Sequence, residues 1–216
     1  MTWEDVARQD GRLCLGERSV KLMLGAIVVA IFLPAYLYPI RGQPPITTAG
    51  FGGYASSWLT VVLPLVGILL GYNAIAQDRE SGAIRLSLSL PNSRRDLLLG
   101  TFLSRTALLT GTVVAGMVLG GALVVYPFGR LVLLPFLGYI LLTILFGTVW
   151  TGLGVALSSA VTTQGRAKIL GFSFFTVFVL LWDIGANALR FALDSVGIIH
   201  GKLPGPVQFL IGITPG

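Results

Sequence analysis

Five long, uninterrupted apolar stretches constrain what this chain can fold into more than any other feature. They run over Val20–Ile40, Trp58–Ala76, Leu97–Tyr126, Leu131–Leu157 and Ile169–Leu189. Each is long enough to cross a bilayer, because a helix needs about 20 apolar residues to span the hydrocarbon core. Transmembrane barrels are built instead from short strands of alternating hydrophobicity. The sequence therefore predicts an all-α integral membrane protein with five transmembrane helices.

The composition agrees with this class and argues against others. Of the 216 residues, 54% are hydrophobic and only 11% are charged, against roughly 25% charged residues in soluble domains. The net charge of +6 comes from cations near the ends of the spans, so nucleic acid is not an expected partner. The lone Cys14 and the lone His200, with Met23 and Met117 on separate spans, make no metal-binding set.

Basic residues predict the orientation, because cytoplasmic loops are enriched in Lys and Arg. Ten lie before or at the start of the first span or in the second-to-third and fourth-to-fifth loops: Arg8, Arg12, Arg18, Lys21, Arg79, Arg85, Arg94, Arg95, Arg166 and Lys168. Four lie in the opposite loops: Arg41, Arg130, Arg190 and Lys202. We therefore expect a multi-pass protein of the cell membrane with its N terminus in the cytoplasm.

The residues before the first span, 1–19, predict an amphipathic cytoplasmic elbow segment that lies on the membrane surface. We expect Val6, Leu13, Cys14 and Leu15 to make its apolar contacts, and its arginines to bind anionic headgroups. The single cysteine is interpreted as an inert apolar residue of this helix.

Residues 20–216 are predicted to form one helical transmembrane domain. It contains a cytoplasmic loop over 77–96 and an incomplete extracellular region over 190–216. The loop runs from Gln77-Asp-Arg-Glu-Ser-Gly82 to Leu90-Pro-Asn-Ser-Arg-Arg-Asp96 and is held at both ends by membrane spans. Two interpretations follow from the residues alone: a docking surface for a cytoplasmic partner, or a plain connector at the interface.

A short helix is the expected structure within this loop. Ser81 or Asp78 can cap its start, and Pro91 ends it because a proline ring disfavours the helical conformation of the preceding residue. The run Leu86-Ser-Leu-Ser-Leu90 alternates like a strand, but an isolated strand would leave an unpaired edge.

The loop resembles a known family signature. Four of its sequence motifs are similar to the cytoplasmic segment of ATP-binding-cassette transporter permeases of the type-two exporter family. They are Asp78-Arg-Glu-Ser-Gly82, Leu86-Ser-Leu-Ser-Leu-Pro91, Ser93-Arg94 and Leu97-Leu-Leu-Gly100. In that family the segment is a coupling helix that fits a groove in the ATPase. The coupling residues that the resemblance implies are Asp78, Arg79, Glu80, Ser81, Gly82, Arg85, Leu86, Pro91, Ser93 and Arg94.

The resemblance extends over nearly the whole chain, from the elbow to the last predicted span. It implies a permease subunit, paired as a homo- or heterodimer, that couples ATP hydrolysis by a separate ATPase subunit to substrate export. The family has six spans, and the sixth is expected to be missing from this sequence.

No phosphate loop of the form G-x-x-x-x-G-K-[ST] occurs in the sequence. ATP and magnesium are therefore expected on the partner ATPase, and no cofactor is expected on this chain. An intramembrane enzyme is disfavoured, because the sequence has no H-E-x-x-H and only one acid, Asp183, lies clearly within a span. The alternative function is a non-transporting membrane anchor of a maturation or regulatory complex.

Polar residues within the spans give further candidate sites. Asp183 and Asn187 share a face of the predicted fifth helix. They either hold its outer end in place, point into the dimer interface, or line a translocation path. Arg105, near the start of the third span, is interpreted as reaching the cytoplasmic headgroups. The patterns Gly116-Met-Val-Leu-Gly120 and Gly152-Leu-Gly154 predict close helix approach, within the chain or between copies.

Overall fold

The computed structural model describes residues 3–42, 44–80, 94–126 and 129–182, together with 184 and 188. In chain order these residues form α1 (Trp3–Gly16), α2 (Arg18–Arg41), α3 (Thr48–Glu80), α4 (Arg94–Val125), α5 (Leu133–Ala160) and α6 (Gln164–Phe175), followed by a π-helical segment, Thr176–Leu180. No strand forms in these ranges, where one isolated bridge joins Thr47 and Arg130. The predicted all-α class is confirmed.

Four helices in the described ranges are long and apolar enough to cross a membrane: Arg18–Arg41, Thr48–Tyr72, Arg95–Val125 and Leu133–Ala160. At 1.5 Å per residue, even the shortest of them is about 36 Å long. These helices correspond to the first four predicted spans. The fifth predicted span is described only in part, as the end of α6 and the π-helical segment.

The start of α3 differs from the prediction. It begins at Thr48 rather than near Trp58, because Gly50, Gly52 and Gly53 lie inside the helix instead of forming a turn. A Cβ atom at Gly52 would lie 2.5 Å from the Tyr139 ring. The glycine therefore allows α3 to approach α5 closely at this end.

Helix α1 lies within the predicted elbow segment, residues 1–19, and packs on one face. Helix α1 ends at Gly16, and Glu17 is extended (φ −73°, ψ 133°) before α2 begins. Val6 and Cys14 are buried, whereas Leu13 and Leu15 are exposed. The predicted apolar set therefore divides into two buried residues and two that remain available to a membrane surface.

Helix α3 is central to the bundle, where it packs along α5 and also contacts α2 and α4. The largest enclosed side chains come from these helices and include Ile27, Ile31, Phe51, Leu59, Leu63, Leu70, Leu109, Val113 and Met117. Met117 is thus part of the apolar core.

Helices α3 and α5 cross at close range. A Cβ atom at Gly71 would lie 2.5 Å from the carbonyl carbon of Gly154, and one at Gly67 would lie 2.9 Å from the Thr151 nitrogen. Small residues four apart on one helix allow this approach. Gly154 on α5 was predicted to allow close packing, whereas the matching pair on α3, Gly67 and Gly71, was not predicted.

The glycines that were singled out on α4 pack within the chain. A Cβ atom at Gly116 would lie 2.8 Å from Ile31, and one at Gly120 would lie 3.0 Å from Phe51. Gly116 therefore allows close contact with α2, and Gly120 allows close contact with α3. Packing within the chain and packing between copies were both predicted, and the structure shows packing within the chain.

The connections from α2 to α3 and from α4 to α5 are joined by hydrogen bonds. The Thr48 nitrogen donates to the Arg130 carbonyl at 3.1 Å, and the Arg130 nitrogen donates to the Ile46 carbonyl at 2.9 Å. The fully buried Thr48 hydroxyl donates to the Val132 carbonyl at 3.2 Å and accepts from the Val132 nitrogen at 2.9 Å. These two connections thus lie at the same end of the bundle.

The chain divides into two compact units, Met1–Phe172 and Ser173–Gly216. In the described part of the second unit, aromatic rings follow one another along the helical segment. The Phe174 and Phe178 rings lie 5.6 Å apart, and the Phe178 and Trp182 rings lie 6.4 Å apart. Both pairs have the centroid separation of stacked aromatic rings.

Candidate functional site

The ends of α3 and α4 carry the predicted coupling loop. Asp78, Arg79 and Glu80 form the last residues of α3, and Arg94 is the first residue of α4. Asp78 therefore does not begin a separate helix, and its assignment as a cap was wrong. The other coupling candidates lie outside the described residues and stay predictions: Ser81, Gly82, Arg85, Leu86, Pro91 and Ser93.

The two candidates for a translocation path, Asp183 and Asn187, also lie outside the described residues. Their assignment stays a prediction. In the described part of the chain, no group of three or more His, Cys, Asp or Glu side chains is placed to hold a metal ion.

A polar cluster joins α1, α3 and α4 close to the loop; we call Asp10, Ser104, Arg105 and the Leu70 carbonyl the polar junction. The Arg105 guanidinium lies 3.3 Å from Asp10 Oδ1 through Nη2 and donates from Nε to Asp10 Oδ2 at 3.4 Å. Its Nη1 donates to the Leu70 carbonyl. Ser104 Oγ also donates to the Asp10 carboxylate. One arginine therefore links three helices.

Helical spacing explains how α1 presents Asp10 to this cluster. Val6, Asp10 and Cys14 are four residues apart, so they lie along one face of α1. Val6 packs against Gly100, where a Cβ atom would lie 2.7 Å from the valine Cβ. Gly100 and Ser104 are also four apart, so the matching face of α4 carries a glycine for close approach and a hydroxyl for Asp10.

The cluster is largely withdrawn from solvent. The Arg105 and Asp10 side chains are 10% and 19% exposed. Removing one partner of a buried pair leaves an uncompensated charge and typically costs about 3–5 kcal/mol, whereas an exposed pair contributes about 0–1 kcal/mol. Since Asp10 keeps some contact with solvent, we expect the loss of either partner to cost a value in the lower part of the range of about 3–5 kcal/mol.

The expectation that Arg105 reaches the headgroups was therefore wrong. Its charged group turns into the bundle, where Asp10 and the Leu70 carbonyl satisfy it. The sequence contained a signal for this placement: Arg105, Leu109 and Val113 are four apart, so they share the buried face of α4. A charge on the inward face of a span is expected to have a partner.

The thiol of Cys14 lies next to the junction, with Sγ 3.8 Å from Asp10 Oδ2. Burial raises its pKa from the ordinary value of 9.0 to about 11, against the opposing charge of Arg105, with Asp10 and Glu17 adding to the rise. The thiol therefore stays protonated at neutral pH, which agrees with its interpretation as an inert residue.

The polar junction includes residues of both helices that flank the loop, α3 and α4. Leu70 precedes Glu80 by ten residues, and Arg105 follows Arg94 by eleven. At 1.5 Å per helical residue, Glu80 and Arg94 lie about 15–17 Å along their helices from the junction. The junction therefore connects the elbow to the two helices that carry the candidate coupling residues.

A groove of about 500 Å³ also lies between α3 and α5. Its walls are mainly apolar and include Leu59, Leu63, Leu142 and Phe146. The hydroxyl of Thr143 donates to the carbonyl of Tyr139, in its own helix, at 2.6 Å. Because such a hydroxyl is already satisfied, the groove offers little to a polar ligand.

A short N-terminal helix followed by four apolar helices long enough to span a membrane indicates a multi-pass membrane protein. A family model described as "ABC-2 family transporter protein" matches residues 15–204. The chain belongs to this family of ATP-binding-cassette transporter permeases, and the resemblance noted from the loop is confirmed.

Two curated relatives carry the name "Probable ABC transporter permease protein NosY". The protein of Pseudomonas aeruginosa is 34% identical over 148 residues, which cover 62% of this chain and 50% of the relative. The protein of Stutzerimonas stutzeri is 30% identical over 146 residues, with the same two coverages. The chain thus spans about half the length of the curated relatives that it matches.

Proposed function

We propose that this chain is the membrane subunit of an ATP-binding-cassette transporter that couples ATP hydrolysis by a separate ATPase subunit to substrate export. The match of the ABC-2 family model to residues 15–204 carries this proposal. ATP and magnesium bind to the ATPase subunit, and two permease chains form the membrane pair. The protein lies in the cell membrane with its N terminus in the cytoplasm.

The ATPase contacts the loop over 77–96 and its helical ends. The position of Glu80 at the end of α3 and of Arg94 at the start of α4 supports this assignment. Movement of the ATPase then reaches the bundle through α3 and α4, and through the polar junction that links them to α1. Asp183 and Asn187 contribute polar groups to the substrate path.

Charge reversal in the loop tests this function. Glu80→Lys or Arg94→Glu places a like or unpaired charge at the ATPase contact, where a lost charge pair costs about 2–5 kcal/mol. This corresponds to a loss of affinity of roughly 30-fold to several-thousand-fold. A solvent-exposed charge on a plain connector contributes under about 1 kcal/mol.

The measurement is co-purification of the ATPase with the tagged permease from its native membrane, together with ATP hydrolysis by the purified complex. Gln43→Lys, in the loop at the opposite end of the bundle, is the matched control and should keep both. If the two reversals retain normal association and hydrolysis in correctly inserted protein, the loop is a plain connector. A complex that hydrolyses ATP but moves no substrate across the bilayer would favour the non-transporting anchor.

A further inference from the structure

The polar junction uses the elbow helix in a way that membrane attachment does not require. An interfacial helix needs an apolar face for lipid and a polar face for water, and Leu13 and Leu15 already supply exposed apolar groups. Asp10 is instead directed at Arg105, inside the bundle. The elbow is therefore attached to the transmembrane helices by a buried ion pair.

We infer that Arg105 is a positioning residue that makes α1 and the loop-bearing ends of α3 and α4 move as one body during the ATPase cycle. This inference rests on the proposed function, because it assumes that the ATPase moves the loop. The elbow then follows the coupling loop instead of staying fixed in the membrane surface.

The geometry of the guanidinium supports this role. Nε and Nη2 contact the Asp10 carboxylate on α1, while Nη1 donates to the Leu70 carbonyl on α3. Arginine can hold two partners at fixed directions because its planar group carries five donors, whereas lysine offers a compact point charge. Separating α1 from α4 would leave the Arg105 charge inside the bundle without its carboxylate, so a movement that keeps the junction intact is favoured.

Helices α1 and α4 also lie close together on either side of the polar junction. A Cβ atom at Gly100 would lie 2.7 Å from Val6 Cβ, and one at Gly11 would lie 3.8 Å from Ser104 Cβ. The second distance matches the mean Cβ separation of a disulfide, about 3.8 Å. Gly11→Cys with Ser104→Cys therefore gives a cross-link that reports on this contact.

The experiment measures the rate of disulfide formation in the complex of the full chain with its ATPase. The cysteine pair is placed in a Cys14→Ser background, and the rate is compared without nucleotide and with a non-hydrolysable ATP analogue. We expect the two rates to agree within about twofold, because the rate follows the separation of the two thiols. A tenfold difference between the nucleotide states would show that α1 and α4 separate, and would overturn the inference.

Arg105→Gln, added to the same cysteine pair, tests the role of the side chain. We expect the two rates to diverge by at least about fivefold, because α1 is then free to lag behind α4. A residue that only stabilised the fold would change both rates together. Equal rates in a folded Arg105→Gln complex would therefore refute the assignment to Arg105.

Arg105→Lys provides a conservative variant that keeps a charge for Asp10. We expect it to restore equal rates in the two nucleotide states, and divergence as large as that of Arg105→Gln would count against the ion pair. If Arg105→Gln does not fold, the parent pair and Arg105→Lys decide the question. If the unmodified chain binds no ATPase, it is the proposed function that fails, and this result is distinct from all of the cross-linking outcomes.

Discussion

Replacing Gly71 by alanine should destabilise the bundle at the crossing of α3 and α5. The new methyl group would lie 2.5 Å from the Gly154 carbonyl carbon and 2.5 Å from the Val155 nitrogen. Both atoms belong to the backbone and cannot turn aside, so the two helices must separate. Overpacking of this kind costs about 1–3 kcal/mol, partly offset by the roughly 0.5–1 kcal/mol by which alanine favours a helix over glycine.

Gly111→Ala is the matched control for this substitution. Gly111 is exposed on α4, and a Cβ atom there would meet nothing within 4 Å. The same change should therefore leave stability unchanged or raise it slightly. A difference of about 1–3 kcal/mol between the two variants corresponds to roughly 2–12 °C in melting temperature for a chain of this size.

The assay is thermal unfolding of the detergent-solubilised protein, followed by the loss of monodisperse protein on size exclusion. We expect Gly71→Ala to melt several degrees below Gly111→Ala. Equal melting temperatures would refute the argument that the α3–α5 crossing excludes a side chain, and with it the role given to this glycine.

Three further outcomes are expected. Cys14 should react with N-ethylmaleimide at pH 8 about 100-fold more slowly than in denatured protein, because its pKa of about 11 suppresses the thiolate; rapid labelling of folded protein would contradict this. In a Cys14→Ser background, cysteines at Ser93 and Gly165 should be protected from an impermeant thiol reagent in intact cells while one at Gln43 labels, and outside labelling of Ser93 would reverse the proposed orientation. Asp183→Asn should preserve assembly and reduce transport, whereas normal transport by an intact complex would leave only a structural role.

The spans could be predicted because apolar length and flanking charges are local properties of the sequence. Helix α2 runs from Arg18 to Arg41, close to the predicted Val20–Ile40. The start of α3 was missed because Gly50 and Gly52 resemble turn formers, and only their contacts with Tyr38 and Tyr139 explain them as helical residues. Such contacts depend on which helices become neighbours.

The contacts of the polar junction could likewise be predicted only in part from the sequence. The spacing of Arg105 with Leu109 and Val113 was enough to direct its side chain inward, but nothing local identifies Asp10 as its partner. That choice depends on how α1 lies across the start of α4, through Val6 and Gly100. The candidate coupling residues rest on a different kind of signal, a sequence motif shared with a family, and their role stays a prediction.

The pairing of Thr48 with Val132 sets an order of events during synthesis. The two residues are 84 positions apart, and a ribosome adds about 5–20 residues per second. The threonine is therefore synthesised roughly 4–17 s before its partner exists. Until then the hydroxyl and the Thr48 amide must be satisfied by water or by the translocation machinery. The connecting end of the first helical hairpin, α2 with α3, can therefore complete these hydrogen bonds only after the start of α5 has been synthesised.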